Sequence, residues 1–219
     1  MDTKPKKKSF DWLNWVSLAF ILTVLVAVIL PMRGHSSRKP KQTEAVSNLR
    51  QIGFALLEFE SQYGAYPNDE TAAKVVTKTK TDLDLAGASS NTLFRQLFAT
   101  GIVTSEGIFH AKVEGAKKPD GVISAGKALA PGEVAFGYIA GLSASGNPAR
   151  PIAFCPIIPG TDRFDPEPFD GKAVVLLVDN SVRTLNIDGN GHAMLGPQNI
   201  LSPKNPIWDG QAPDIRYPE

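Results

Sequence analysis

The feature that most constrains this chain is the run from Trp12 to Met32, which holds no charged residue. Its centre, Val16 to Leu30, is interrupted only by Ser17 and Thr23. A helix needs about 20 predominantly apolar residues to cross a hydrocarbon core of about 30 Å, and this run reaches that length. Trp12 and Trp15 fall where an interfacial aromatic belt is expected. A cleaved signal peptide also pairs a basic start with an apolar stretch. This stretch is long for one, and Pro31-Met32-Arg33-Gly34-His35 offers no small-x-small cleavage site, so a retained anchor is expected. Lys4, Lys6, Lys7 and Lys8 precede the span, and Arg33, Arg38, Lys39 and Lys41 follow it. The two flanks nearly cancel under the positive-inside rule. The compact lysine cluster and the long polar remainder favour an N-terminus inside and an exported domain.

The chain therefore divides into a basic tail (1–11), a transmembrane anchor (12–32), a linker (33–42), a globular domain (43–200) and an extended proline-rich tail (201–219). Pro31, Gly34 and Pro40 act as helix breakers around the linker. With 219 residues there is room for one anchor and one domain of ordinary size. A formal net charge of +1 gives no global field for nucleic acid. The lone Cys155 excludes an internal disulfide framework and a zinc site built from cysteine clusters.

From Thr43 a helical pattern resumes. Ala45, Leu49, Ile52, Leu56, Phe59 and Tyr63 recur at alternating spacings of four and three, which lines them up along one stripe. Thr43 serves as the N-cap, and Gly64 stops the helix before Tyr66-Pro67. Leu49, Ile52, Leu56 and Phe59 form the packing stripe and a candidate assembly surface. Residues 72–81, rich in lysine and threonine, read as an exposed helix edge or loop. Residues 91–101 read as a short helix capped by Ser90 or Asn91 and ended by Gly101.

Beyond it β signals dominate. Glu133–Ile139 and Pro151–Pro156 are strand candidates, the second short or at an edge because a proline stands at each end. Lys172–Ile187 reads as a hairpin: two runs rich in β-branched residues flank Asp179-Asn180, which tolerate the left-handed backbone of a two-residue turn. The first run is apolar on both faces and belongs in the sheet interior. Trp208 and Tyr217 are the residues that would pin the proline-rich tail.

Catalytic signals are weak. Cys155 with His110 or His192 invites a cysteine-hydrolase reading, but Cys155 lies in an apolar strand, where a free cysteine behaves as a small buried hydrophobe. Asp162, Asp165, Glu167 and Asp170 form an acidic, proline-spaced loop of solvated charge. No phosphate loop, dinucleotide fingerprint or triad motif is present, and the chain is expected to be non-catalytic.

The run from Asn48 to Pro67, NLRQIGFALLEFESQYGAYP, resembles the helix of bacterial pseudopilins and type IV pilin-like proteins. In that family an amphipathic N-terminal helix ends in a similar tyrosine-glycine-x-tyrosine-proline turn. The hairpin resembles the C-terminal strand pair of a branch of the same family, which turns through aspartate-glycine-serine-valine. Here the turn is Asp179-Asn180-Ser181-Val182, and Phe169 stands where the branch often has a histidine. The resemblance implies an α+β fold: a transmembrane helix, then an amphipathic stalk helix packed on an antiparallel β-sheet. Some pseudopilins bind calcium in a loop near the C-terminus, and Asp188-Gly189-Asn190-Gly191-His192 supplies oxygens and glycines. EF-hand spacing is absent, so a turn is preferred and no cofactor is expected.

At the N-terminus the family has a glycine cleavage site, a phenylalanine and then a glutamate. The matching residues are Ser9, Phe10 and Asn14, a degenerate processing site that points to a permanently anchored domain. The resemblance implies a single-pass protein of the bacterial inner membrane with a cytoplasmic N-terminus and a periplasmic domain. It would act as a structural or accessory component of a type II secretion or type IV pilus-like system. Its partners would be the membrane, other pilin-like or secretion-system proteins and copies of itself, not nucleic acid. The alternative is a stand-alone tethered binding domain that joins no filament.

Overall fold

The stalk stripe organises the domain. In the computed structural model, which describes residues 38–219 together with Phe20 and Thr23, helix α1 spans Arg38–Tyr63. Leu49, Ile52, Leu56 and Phe59 are each fully buried along it. The described helix includes Pro40 and so begins before Thr43, within the segment expected as linker. Pro40 sits in the first turn, where a backbone N–H has no intrahelical acceptor to lose, so the ring is tolerated. Thr43 is then an interior helical residue and not the cap. At the other end Gly64 takes φ +83° and donates to the Glu60 carbonyl at 2.7 Å, closing the helix where expected.

Helix α2 (Asp69–Thr79) follows, with Asn68 and Thr71 forming a reciprocal capping box. It exposes most of its residues but buries Thr71 and Val75. Helix α3 (Ser90–Ala99) is capped by Ser89, one residue earlier than expected, and is buried from Ser90 through Phe98. It is thus a core helix, with polar groups that bond inside the domain.

Five antiparallel strands form the main sheet: β1 (Gly137–Ala140), β2 (Pro151–Cys155), β3 (Lys172–Leu177), β4 (Val182–Asn186) and β7 (Asp214–Arg216). Their order is β4-β3-β2-β1-β7. A second, two-stranded ribbon pairs β5 (Met194–Leu195) with β6 (Gln198–Asn199). The fold is α+β, with three helices packed on the five-stranded antiparallel sheet. Side chains alternate between the sheet's two faces. Tyr138, Cys155, Val174 and Leu176 join the cluster that contains the α1 stripe and α3. Ile139, Phe154, Val175 and Leu177 join a second cluster closed by Phe164, Ile200, Leu201 and Trp208.

Three expectations are corrected. β2 lies at the centre of the sheet, not at an edge, because Pro151 is its first residue and Pro156 lies beyond it. The hairpin pairs as expected, Leu176 against Val182 and Lys172 against Asn186, but its turn is not a two-residue one. The Asn180 N–H closes a turn on the Leu177 carbonyl, Asn180 takes φ +61°, and the Leu177 N–H reaches Ser181. This is the longer connection, a turn followed by a left-handed residue. Finally, the tail after Leu201, expected to run extended outside the 43–200 domain, is pinned by Trp208 and Tyr217 as expected but also joins the sheet. Its strand β7 pairs with β1, Tyr138 opposite Arg216. Trp208 is buried and donates from Nε1 to the Ile200 carbonyl at 2.8 Å, and Tyr217 donates from its hydroxyl to the Thr161 carbonyl at 2.9 Å.

Residues 40–219 form one compact unit. Among the described residues no helix is long and apolar enough to cross a membrane. The expected anchor, 12–32, falls outside them apart from Phe20 and Thr23, both helical.

Candidate functional site

Helix α1 is the element on which the functional expectations converge, and its two faces differ sharply. The stripe of Leu49, Ile52, Leu56 and Phe59 is closed against the domain's own core, so these residues pack and present no surface for assembly. The opposite face exposes Ser47, Arg50, Gln51, Phe54 and Glu58. Phe54 is 66% exposed, more than any other large hydrophobic residue in the globular domain. Arg50, Phe54 and Glu58 are spaced four and four, so they form one line along the helix. Between the faces, Asn48 donates to the carbonyls of Gly107 and His110 at 3.1 and 2.8 Å. Glu44 pairs with Lys112 at 2.9 Å and lies 3.7 Å from His110.

The hairpin turn meets α1 directly. A Cβ at Gly53 would stand 2.0 Å from Asn180 Oδ1 and 3.0 Å from Leu176 Cδ1, so the bare backbone of Gly53 is what lets the turn approach. Asp179 accepts from the Ser181 N–H at 2.9 Å and from its hydroxyl at 2.5 Å. Burial works against those bonds and the nearby Arg183, but the net effect lowers the Asp179 carboxyl below its ordinary value. Asp179 and Asn180 thus shape a turn seated on α1. Ser9, Phe10 and Asn14 lie outside the described residues.

A buried polar network that the sequence did not signal holds the loop 117–133. Glu106, on a short 3-10 turn (Glu106–Phe109), accepts from the N–H groups of Leu129 at 2.7 Å and Gly121 at 2.9 Å. Glu133 accepts from Asp120 at 3.0 Å and Ala130 at 2.8 Å. From α3, Arg95 donates to the carbonyls of Ala128 and Leu129 at 2.7 and 3.2 Å, and Asn91 donates to Leu129 at 3.0 Å. The Leu129 peptide is therefore held between a buried carboxylate on its N–H and a buried guanidinium on its carbonyl. That double hold is the physical reason a leucine can sit at φ +48° here. Carboxylate oxygens of Glu106, Asp120 and Glu133 come within 4.8 Å of one another. All four oxygens of the two buried glutamates accept loop N–H groups, so the cluster acts as a clasp. Beside it lies a hollow of about 380 Å³, lined by Glu44, Glu106, His110, Lys118 and Asp120 among others. These acids and Arg95 are isolated along the chain, without periodicity, which is why no sequence pattern marks them.

The remaining candidates are structural in placement. Cys155 is fully buried, and burial pushes its thiol well above the usual range, the opposite of what a nucleophile needs. Asp188 closes its own glycine-rich turn, accepting from the N–H groups of Asn190 at 2.9 Å and His192 at 2.8 Å. Those bonds, that to His192 first, hold its carboxyl below the ordinary value. His192 lies 3.7 Å from both Asp188 and Asp162, and Asp162 accepts from Asn199 Nδ2 at 2.8 Å. In the acidic loop, Asp165 accepts from the Glu167 N–H at 2.9 Å, and Asp170 takes φ +58°.

Comparison with protein-family models, with curated proteins and with solved structures gives no match.

Proposed function

We propose that this chain is a non-catalytic, single-pass membrane protein of the pilin-like kind, a structural or accessory component of a type II secretion or type IV pilus-like assembly. Its domain faces the periplasm in this reading, and its partners are the membrane and other pilin-like chains. The observation that carries the reading is the junction of α1 with the sheet. The helix closes on Gly64, Tyr66 is buried at 1% exposure, and the Tyr138 hydroxyl from β1 donates to the Pro67 carbonyl at 2.9 Å. The tyrosine-glycine-x-tyrosine-proline signature is thereby built into the core as the hinge between a long helix and an antiparallel sheet, the arrangement expected of that family.

A second reading, a tethered domain that borrows the fold without joining a filament, has its own support. The stripe that would have served assembly is used up inside the domain, and Ser9 and Asn14 depart from the processing pattern. Mass spectrometry of the mature N-terminus tests the choice. A chain beginning at Phe10 is expected for a filament component; an intact Met1 overturns that role and leaves the tethered domain.

A further inference from the structure

We infer that the loop tip led by Val122 and Ile123, flanked by Lys117, Lys118 and Lys127, docks on the surface of an anionic bilayer, the one that holds this chain's own anchor. The inference rests on the single-pass reading of residues 12–32 and needs nothing of the pilin-like assembly. Residues 120–127 are exposed without a break, with Val122 at 38% and Ile123 at 41%. One exposed aliphatic residue is ordinary. These two are the only large exposed hydrophobics among the described residues that are neighbours in the chain. They also stand on a fixed base. The Glu106 carboxylate holds the Gly121 N–H, the Glu133 carboxylate holds that of Asp120, and Asp120 in turn accepts from the Val122 N–H at 2.7 Å. A tip ordered in advance loses little freedom on docking.

Two observations name the occupant. The first is the length of chain that leads to the loop. Only residues 33–37 separate the expected end of the span, Met32, from the start of α1 at Arg38, and fully extended they bridge about 20 Å. Glu44 lies about 9 Å further along the helix. Glu44 and Ile123 line the same hollow. The Glu44 side of that hollow is therefore held within about 30 Å of the bilayer whatever path the linker takes. A covalent tether of that length supplies an effective concentration at which a weak contact is occupied. The second observation is charge. Residues 112–127 hold four lysines against Glu114 and Asp120, a surplus of two on a chain whose total is +1. Lys117, Lys118 and Lys127 are exposed and form no ion pair among the described residues. An aliphatic tip ringed by lysines matches the two layers of an anionic bilayer surface, phosphates outside and acyl chains beneath.

The test uses the full chain reconstituted in phosphatidylcholine vesicles with or without phosphatidylglycerol. Ile123→Cys carries a thiol-linked nitrobenzoxadiazole fluorophore, and Ser61→Cys, exposed near the far end of α1, carries the same label as a reference. Native Cys155 is buried, so its failure to label shows that each variant is folded. In vesicles with phosphatidylglycerol the Ile123→Cys label is expected to shift its emission to the blue and to be quenched by spin-labelled lipid, while the Ser61→Cys label does neither. High salt, or Lys117→Gln with Lys118→Gln and Lys127→Gln, should return the Ile123→Cys label to its emission in water. A label that stays in water in the anionic vesicles overturns the contact. A shift of equal size in neutral vesicles, or one that survives loss of the three lysines, overturns the anionic surface as the occupant. A blue shift without quenching by lipid overturns it in favour of a protein partner. Alkaline carbonate extraction separates the two levels: a chain that is released removes the anchored reading and this inference with it, whereas a retained chain whose label stays in water removes this inference alone.

Discussion

Tyr138 shows how much one side chain settles at this junction. It is completely buried, packs edge-on to Phe94 at 5.2 Å, and gives its hydroxyl proton to the Pro67 carbonyl. Replacing it with phenylalanine keeps the packing but strands a carbonyl. Tyr138→Phe should therefore lower unfolding stability by about 1–2 kcal/mol, measurable by urea titration. Burial, reinforced by Glu60, pushes the Tyr66 phenol up to about 12; burial, then Tyr66 and Glu60, moves Tyr138 in the same direction. Both phenols are harder to ionise in the folded state than in the unfolded chain, whose value is about 10. The Tyr66 contribution is complete below pH 10 and is lost as pH rises through about 12, and that of Tyr138 is likewise complete below pH 10 and lost on the alkaline side. A spectrophotometric titration should find tyrosines that ionise late, with unfolding setting in over the same range.

At the scale of elements, α1 is the test of which face does what. Leu56→Ala should cost about 2–5 kcal/mol because the side chain is fully enclosed, while Phe54→Ala should leave the domain's stability within about 0.5 kcal/mol. Thermal melts of the two variants separate packing from exposure. Gly53→Val brings branched atoms into Asn180 and Leu176, and it should destabilise by about 1–3 kcal/mol, checked in the same melts. Much of this element was legible in advance: the 3.6-residue period gives the stripe, and Gly64 gives its end. The period favours packing on the domain's own sheet but does not by itself tell what the stripe faces, so assembly surface stays a candidate for Leu49 and its neighbours until the sheet is seen against them. β3 was legible for a related reason, since apolar residues on both faces require cover on both sides. β2 was misread because a proline matters only at the N–H it removes, and Pro151 and Pro156 bracket the strand without weakening its interior. The loop clasp of Glu106, Glu133, Arg95 and Asn91 was invisible, because irregular chain is held by single long-range bonds that leave no period.

Across the whole molecule, the clasp carries a segment with little regular structure of its own. Glu106→Gln substitutes an amide for one of the two carboxylate oxygens that hold Gly121 and Leu129, and it opposes an N–H with an N–H. It should destabilise the domain by about 1–3 kcal/mol. Hydrogen exchange should speed up at residues 117–133 and not in β3.

The same scale gives a meaning to β7. Strand β1 ends at Ala140 and β7 begins at Asp214, so the sheet waits 214 − 140 = 74 residues for its last member. Ser90, at the start of α3, likewise donates its N–H to the Tyr217 carbonyl at 2.9 Å. A ribosome adds residues in order, so a nascent chain that has produced α1, α3 and β1 still lacks the strand that covers β1 and the Trp208 side chain that closes the second core. The sheet and the second core are thereby completed only by residues 208–217, the last parts of the fold to be synthesised.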